Sequence, residues 1–267
     1  VNDAPSPAAP VVFDEKVARS LEQSYQTPEV VLQRQRTLTA LHLEAGEHAL
    51  DVGCGPGLLV ADMAKQVGPT GHVTGVDKSG DMLALGRDRC RDLPQVSFLD
   101  ADLKDLPIPD GAFDAAACTQ TLLFVPDVAG ALAQLHRVLK PGGRIAVLET
   151  DWRGVVLNST DEALTRRLFD AWDELATSPN LPVRLGPLLK RTGFTAVRAE
   201  AVPILNTSYT PGNFSVGFVK GLAKKAVENG LATRDETDAW LDGLKQLGRD
   251  GAYFFCVNRF LFSGVKV

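Results

Sequence analysis

Between residues 48 and 149, short apolar runs alternate with stretches in which apolar residues return every three or four positions. Few folds accept that rhythm. Strand, helix and strand in succession close as a right-handed crossover onto a parallel sheet, with helices covering both faces. The spacing predicts strands over 48–53, 72–77, 96–101, 112–118 and 144–149, and helices over 58–67 and 81–91. A further helix opens at Asp127 with the apolar stripe Val128, Ala131, Leu132, Leu135 and Val138. An earlier one is expected from Thr27 to near Gly46. Thr27 can cap it, Pro28 suits its first position, and Glu29 favours the positive end of its dipole. After residue 150 the pattern loosens. It suggests helices over 160–176 and 183–192, a strand over 195–201, a polar helical stretch over 203–250, and an aromatic-rich closing strand over 253–265.

At roughly 150 residues per domain, the 267-residue chain falls between one domain and two. Its 33 acidic and 28 basic residues give a net charge of −5, the opposite of what nucleic-acid binding needs. No apolar run approaches the ~20 residues of a membrane-spanning helix. Residues 1–12 are rich in proline and alanine, and acidic where a secretory leader would be basic and then apolar, so a flexible tail is expected there. Cys54, Cys90, Cys118 and Cys256 lie far apart without C-x-x-C spacing, which fits reduced thiols in a cytoplasmic protein better than disulfides or a metal site.

The chemistry concentrates after the first strand. Asp51-Val52-Gly53-Cys54-Gly55-Pro56-Gly57 is a glycine-crowded turn whose backbone can approach a ligand closely. It departs from the nicotinamide fingerprint G-x-G-x-x-G, because Leu58 stands where the last glycine would be. By itself it can also be a tight strand–helix connection. Two acids sharpen it. Asp77 ends the second strand, where a carboxylate can accept both hydroxyls of a ribose, and Asp102 follows the third, where it can accept an exocyclic amine.

With these residues in place the chain resembles a class I S-adenosylmethionine-dependent methyltransferase. The resemblance rests on LDVGCGPG (50–57), VTGVD (73–77), ADLKDLPIPDGAFD (101–114) and HRVLKPGGRIAVLE (136–149). It covers about residues 48–150, and LPIPDGAFD with RVLKPGG resembles the ubiquinone/menaquinone-type branch. It implies an α/β, Rossmann-like seven-stranded, mostly parallel sheet with helices on both faces, a helical cap, and an antiparallel last strand. The implied organisation is one domain over 13–267, with cap segments at about 13–46 and 203–250. The cofactor implied is S-adenosyl-L-methionine, leaving as S-adenosyl-L-homocysteine, with no metal.

The resemblance also implies roles. Gly53, Gly55 and Gly57 pack under the methionine portion with Asp51 near it; Asp77 takes the ribose hydroxyls and Lys78 covers an adenine face. Asp102 and the Leu103 backbone take the adenine edge, and Thr119 and Gln120 flank the sulfonium. Tyr25 and Arg36 would close over the amino-acid end, Arg36 as a bidentate clamp, although it reads equally as a solvated helix charge. On the acceptor side, Asp151 or Glu149 can act as base or orienter, or Glu149 can simply order the loop. Trp152, Tyr209 and Phe214 can line the pocket. The four histidines read as structural. No Asn/Asp-Pro-Pro-Tyr/Phe motif follows the fourth strand, where Cys118-Thr119-Gln120-Thr121 stands, against a nucleic-acid amino-methyltransferase. The expected function is methyl transfer to a small-molecule C-, O- or N-nucleophile by a monomer or homodimer without membrane insertion. The six acids and six bases of 203–250 cancel, which favours a neutral or apolar acceptor over a nucleic acid. The alternatives are a cofactor-binding regulatory subunit and a nicotinamide-dependent oxidoreductase.

Overall fold

The computed structural model describes residue 22 and residues 24–173 and 177–267. The expected tail at 1–12 and the front of the first cap segment lie outside the described residues. The alternating region folds as α1 (Pro28–Leu41), β1 (His48–Val52), α2 (Leu58–Val67), β2 (His72–Asp77), α3 (Gly80–Arg89), β3 (Val96–Asp100), β4 (Phe113–Thr119), α4 (Val128–Val138) and β5 (Leu139–Thr150). It is followed by β6 (Val156–Leu157), α5 (Glu162–Asp173), α6 (Pro182–Thr192), β7 (Phe194–Asn206), α7 (Phe214–Glu228), α8 (Arg234–Arg249) and β8 (Phe255–Lys266). The sheet runs β3-β2-β1-β4-β5-β8, with β7 on the far side of β8. Only β8 runs against its neighbours, as the resemblance implied; the two-residue β6 extends the β5 edge of β8 and brings the count to eight.

Alternation along the strands divides the core into two layers. Leu50, Val52, Ile145 and Val147 face α4 and α6, packing on Leu132, Leu135, Leu185 and Leu189. Ala49, Ala115, Ala117 and Ala146 face α1 and α2, and these small side chains let Leu41, Val60 and Met63 sit close on the sheet. A third cluster lies under the late helices around Leu168, Val219, Trp240 and Phe255.

Several expected boundaries move. Thr27 stands at the start of α1, yet its hydroxyl donates to the Ser24 carbonyl (3.0 Å) and does not cap the helix. The helix ends at His42 in a left-handed conformation, short of Gly46. Asp127 does cap α4, its Oδ1 accepting from the Gly130 N–H at 2.9 Å. The strand expected over 195–201 continues to Asn206, so the first residues of the expected second cap segment belong to the sheet. Helical cap structure begins at Phe214. None of the described helices is long and apolar enough to cross a membrane.

Candidate functional site

The carboxyl ends of β1, β2 and β4 open onto one cavity of about 1060 Å³, roofed by α1 and α7. That volume lies at the upper end for small-molecule clefts. One side of it is built by the glycine turn. Gly53, Gly55 and Gly57 all take positive φ, between 51° and 74°, a region in which a side chain is strained. At Gly53 a Cβ would strike Thr121 Oγ1 at 2.0 Å, and at Gly57 it would meet the Gly86 backbone at 3.0 Å. At Gly55 it would stand free of everything but Tyr25, 4.0 Å away. The first and third glycines are therefore required by packing, whereas Gly55 keeps the cavity floor bare.

The acids collect around this floor. Asp77 Oδ2 accepts from the Gly55 N–H and Oδ1 from the Ser79 N–H, both at 2.9 Å, which ties the carboxylate to the turn and leaves each oxygen further lone pairs. Asp102 Oδ1 accepts from the Lys104 N–H at 2.9 Å, with Leu103 buried beside it. Asp51, at the end of β1, is buried, and its Oδ1 has no hydrogen-bond partner among the described residues. Burial, and then the nearby Asp77 charge, push its pKa up to about 8. A buried carboxyl oxygen without a partner, on the wall of a cavity, suits a ligand that brings a donor or a positive charge. The glycine cradle, the orphaned Asp51 oxygen and the strand-end acids together fit S-adenosylmethionine.

Thr119 and Gln120 follow at the end of β4, on the same wall. Gln120 has φ 53°, a strained conformation for a non-glycine residue. Its N–H donates to the Leu148 carbonyl (2.8 Å), and its side-chain Oε1 accepts from the Thr150 hydroxyl (2.5 Å). The strain is thus held from both backbone and side chain. Lys78 and Tyr25 also line the cavity, Lys78 exposed and Tyr25 half-buried.

Four expected site residues stand elsewhere. Arg36 is off the cavity, half exposed, and pairs with Glu200 at 3.3 Å. Arg34 lines the cavity in its place, donating to the Tyr25 carbonyl and to Asp62. Glu149 is fully buried and does not reach the cavity. Its Oε1 accepts from the N–H groups of Thr121 (3.0 Å) and Leu122 (2.7 Å), so it orders the loop after β4. Burial pushes its pKa up to about 8 against the lowering effect of those bonds. Asp151 is also off the wall, turned toward Gly154. Tyr209 packs edge-on against Tyr253, with ring centroids 5.3 Å apart, away from the cavity. Neither carboxylate lines the cavity, and no histidine does.

The far side of the cavity is aromatic. Trp152 and Phe214 line it, joined by Trp172 from α5 and Phe218 from α7. Trp152 stacks on Phe218 (5.0 Å, 16°) and Trp172 meets Phe218 edge-on (5.3 Å). Lys225 Nζ lies 5.3 Å over the Trp172 ring, and burial lowers its pKa. Arg259 from β8 is buried and lines the cavity, 4.9 Å over the Phe214 ring. Two of the unexpected residues had a signal in the sequence. Arg34 shares the helical phase of Val30, Leu38 and Leu41, which Arg36 does not. Arg259 falls on the buried parity of Phe255, Val257 and Leu261. Trp172 and Phe218 had none, because only tertiary packing brings α5 and α7 together. No group of three or more metal-binding side chains occurs among the described residues, and all four cysteines are free thiols.

Residues 50–147 match the family model described as a methyltransferase domain. A curated relative, the uncharacterized 37.1 kDa protein in transposon TN4556 of Streptomyces fradiae, is 34% identical over 228 residues, 84% of this chain and 64% of its own length. The demethylmenaquinone methyltransferase of Listeria welshimeri is 39% identical over 119 residues, 44% of this chain and 50% of that enzyme. The chain thus spans between half and two thirds of the length of these relatives. Among solved structures, phosphoethanolamine N-methyltransferase 2 of Haemonchus contortus, in complex with phosphomonomethylethanolamine and S-adenosylhomocysteine, has a TM-score of 0.63 at 18% identity. That match covers 95% of this chain and 58% of the other, and shows the shared fold. Residues 50–147, which hold the glycine turn, the strand-end acids and the strained Gln120, are thus similar to a methyltransferase domain, set in a fold shared with a solved methyltransferase.

Proposed function

We propose that the protein transfers a methyl group from S-adenosylmethionine to a small-molecule acceptor by in-line displacement. The observation that carries this reading is the continuity of one cavity from the glycine turn and its acids to the aromatic wall, which gives donor and acceptor a common chamber. When bound, S-adenosylmethionine supplies a methyl group on a positively charged sulfur that leaves readily. Asp77 would hold the ribose hydroxyls through lone pairs left free by its backbone bonds, and Asp102 with the Leu103 backbone would hold the adenine amine. The carboxyl of Asp51 would face the positive charge of the methionine end. Thr119 and Gln120 stand at the seam between the two halves. Trp152, Phe214 and Phe218 give a planar acceptor a stacking surface and keep water from the seam.

Neither Glu149 nor Asp151 lines the chamber, so acceleration comes from holding two partners aligned, a contribution that can reach about 7–11 kcal/mol. The acceptor is then a group already deprotonated, or one that loses its proton after attack. The unpaired thiols suit a cytoplasmic setting. The test is turnover: incubation with S-adenosylmethionine and a panel of aromatic and apolar acceptors is expected to release S-adenosylhomocysteine with a methylated product. Cofactor binding without turnover on any acceptor class would favour a binding subunit. Binding of NADPH in its place would overturn the reading.

A further inference from the structure

Arg259 carries more than the proposed chemistry asks of it. It is buried, it lines the cavity, and its Nη1 donates to Gln33 Oε1. Its Nε has no hydrogen-bond partner among the described residues. A buried guanidinium with an open donor is costly unless something fills the place. Tyr25, Glu149 and Glu29 are close enough to act on its charge. Glu149 Oε1 accepts from the Thr121 and Leu122 amides and Glu29 Oε1 from Asn206, while the second oxygen of each carboxylate has no hydrogen-bond partner among the described residues, Arg259 included.

Position says which half of the cavity Arg259 serves. It pairs with Thr150 at the end of β5, two strands beyond β4 and about 10 Å across the sheet from it. Thr150 in turn bonds Gln120, so Arg259 stands next to the seam on the side away from Asp77. The Phe214 ring under the guanidinium belongs to the aromatic wall. That wall is also positive, because Lys224, Lys225 and Arg259 line it against the single acid Glu228.

We propose that Arg259 holds a carboxylate of the acceptor, and that the acceptor is a planar aromatic acid stacked on the Trp152–Phe218 pair. The planar fork of a guanidinium matches a carboxylate in two-pronged fashion, where an ammonium would not. The proposal rests on the reading that this cavity serves methyl transfer. The acceptor's acid group anchors on Arg259, and its ring lies toward the β4 end.

Calorimetric titrations with 2-naphthoate and its neutral isostere 2-naphthamide test this, each with and without saturating S-adenosylhomocysteine. The wild-type protein is expected to bind 2-naphthoate at least tenfold more tightly than the amide. Arg259→Gln is expected to erase that preference while changing amide and S-adenosylhomocysteine affinities less than threefold. Arg259→Lys, which keeps the charge and loses the fork, should restore only part of it. Equal binding of acid and amide by the wild type, or no binding of 2-naphthoate at millimolar concentration, overturns the proposal without needing a variant. A loss of S-adenosylhomocysteine affinity in Arg259→Gln as large as the loss for 2-naphthoate also overturns it, because Arg259 would then hold the cofactor's own carboxylate. Failure of S-adenosylhomocysteine to bind the wild type would instead refute the methyl-transfer reading, and the acid–amide preference would still be read without it.

Discussion

The two halves of the cavity are made in different ways. The proposed cofactor half comes mainly from one continuous stretch of chain, 51–121, in which strand ends deliver Asp51, Asp77 and Thr119 to adjacent positions on the sheet, with Tyr25 and Arg34 added from the N-terminal side. The proposed acceptor half is assembled from Trp152, α5, α7 and β8, segments that meet only after the chain has folded. The first half is held by backbone bonds and glycine geometry. The second is held by ring packing. A site of the first kind tolerates few substitutions and keeps one ligand, whereas a site of the second kind can be re-lined without disturbing the sheet.

The largest effect is therefore expected in the cofactor half. Gly53→Val puts a branched side chain at φ 71° with its Cβ on Thr121. It should lower the melting temperature by several degrees and weaken S-adenosylhomocysteine binding at least a hundredfold, about 2.7 kcal/mol. Calorimetric binding and thermal unfolding measure the two effects, and wild-type affinity in this variant would remove the glycine turn from the site.

Asp77→Ala should weaken the same binding at least tenfold, about 1.4 kcal/mol. In the acceptor half, Phe218→Ala should leave cofactor affinity within twofold and cut turnover at subsaturating acceptor, because it removes the ring on which Trp152 stacks.

A pH effect separates the halves further. Asp51 and Glu149 both have folded pKa values near 8, raised by burial from the ordinary carboxyl range. Between about pH 4 and 8 the folded protein binds more protons than the unfolded chain, so ligand-free stability should fall as pH rises through that window. A positively charged cofactor favours ionised Asp51, so its binding should release a proton near pH 7. Asp51→Asn should abolish the release, read by calorimetry in buffers of different ionisation enthalpy. Stability that rises from pH 5 to 8 would contradict both assignments. The smallest effect is predicted for Arg36→Ala. An exposed pair with Glu200 contributes at most about 1 kcal/mol, and cofactor affinity should not change, whereas Arg34→Ala should weaken it.

The same contrast explains what could be read from the sequence. The parallel sheet, the glycine turn and the three strand-end acids follow from local spacing, because each acid sits where its own strand stops. The acceptor half needs the packing of helices that carry no marker of their partners. Tyr209 and Phe214 lie five residues apart, yet only Phe214 enters the cavity, because Tyr209 precedes α7 and turns to Tyr253. Charge counting over 203–250 leaves the charge of the cavity wall unread for a similar reason. The six acids and six bases do balance, but Lys224 and Lys225 face the cavity while the acids of α8 lie off it. A summed charge says nothing about which face carries it. Glu149 ends a strand at the edge where a base could stand, but its Oε1 accepts from the Thr121 and Leu122 amides and the side chain does not line the cavity.

The division of the cavity is tested most directly by S-adenosylhomocysteine titrations of the wild type, Asp77→Ala and Phe218→Ala side by side. Binding to the wild type is expected, with at least tenfold weaker binding to Asp77→Ala and an affinity within twofold of wild type for Phe218→Ala. Equal affinity of Asp77→Ala and wild type, or a loss in Phe218→Ala as large as in Asp77→Ala, would contradict that division.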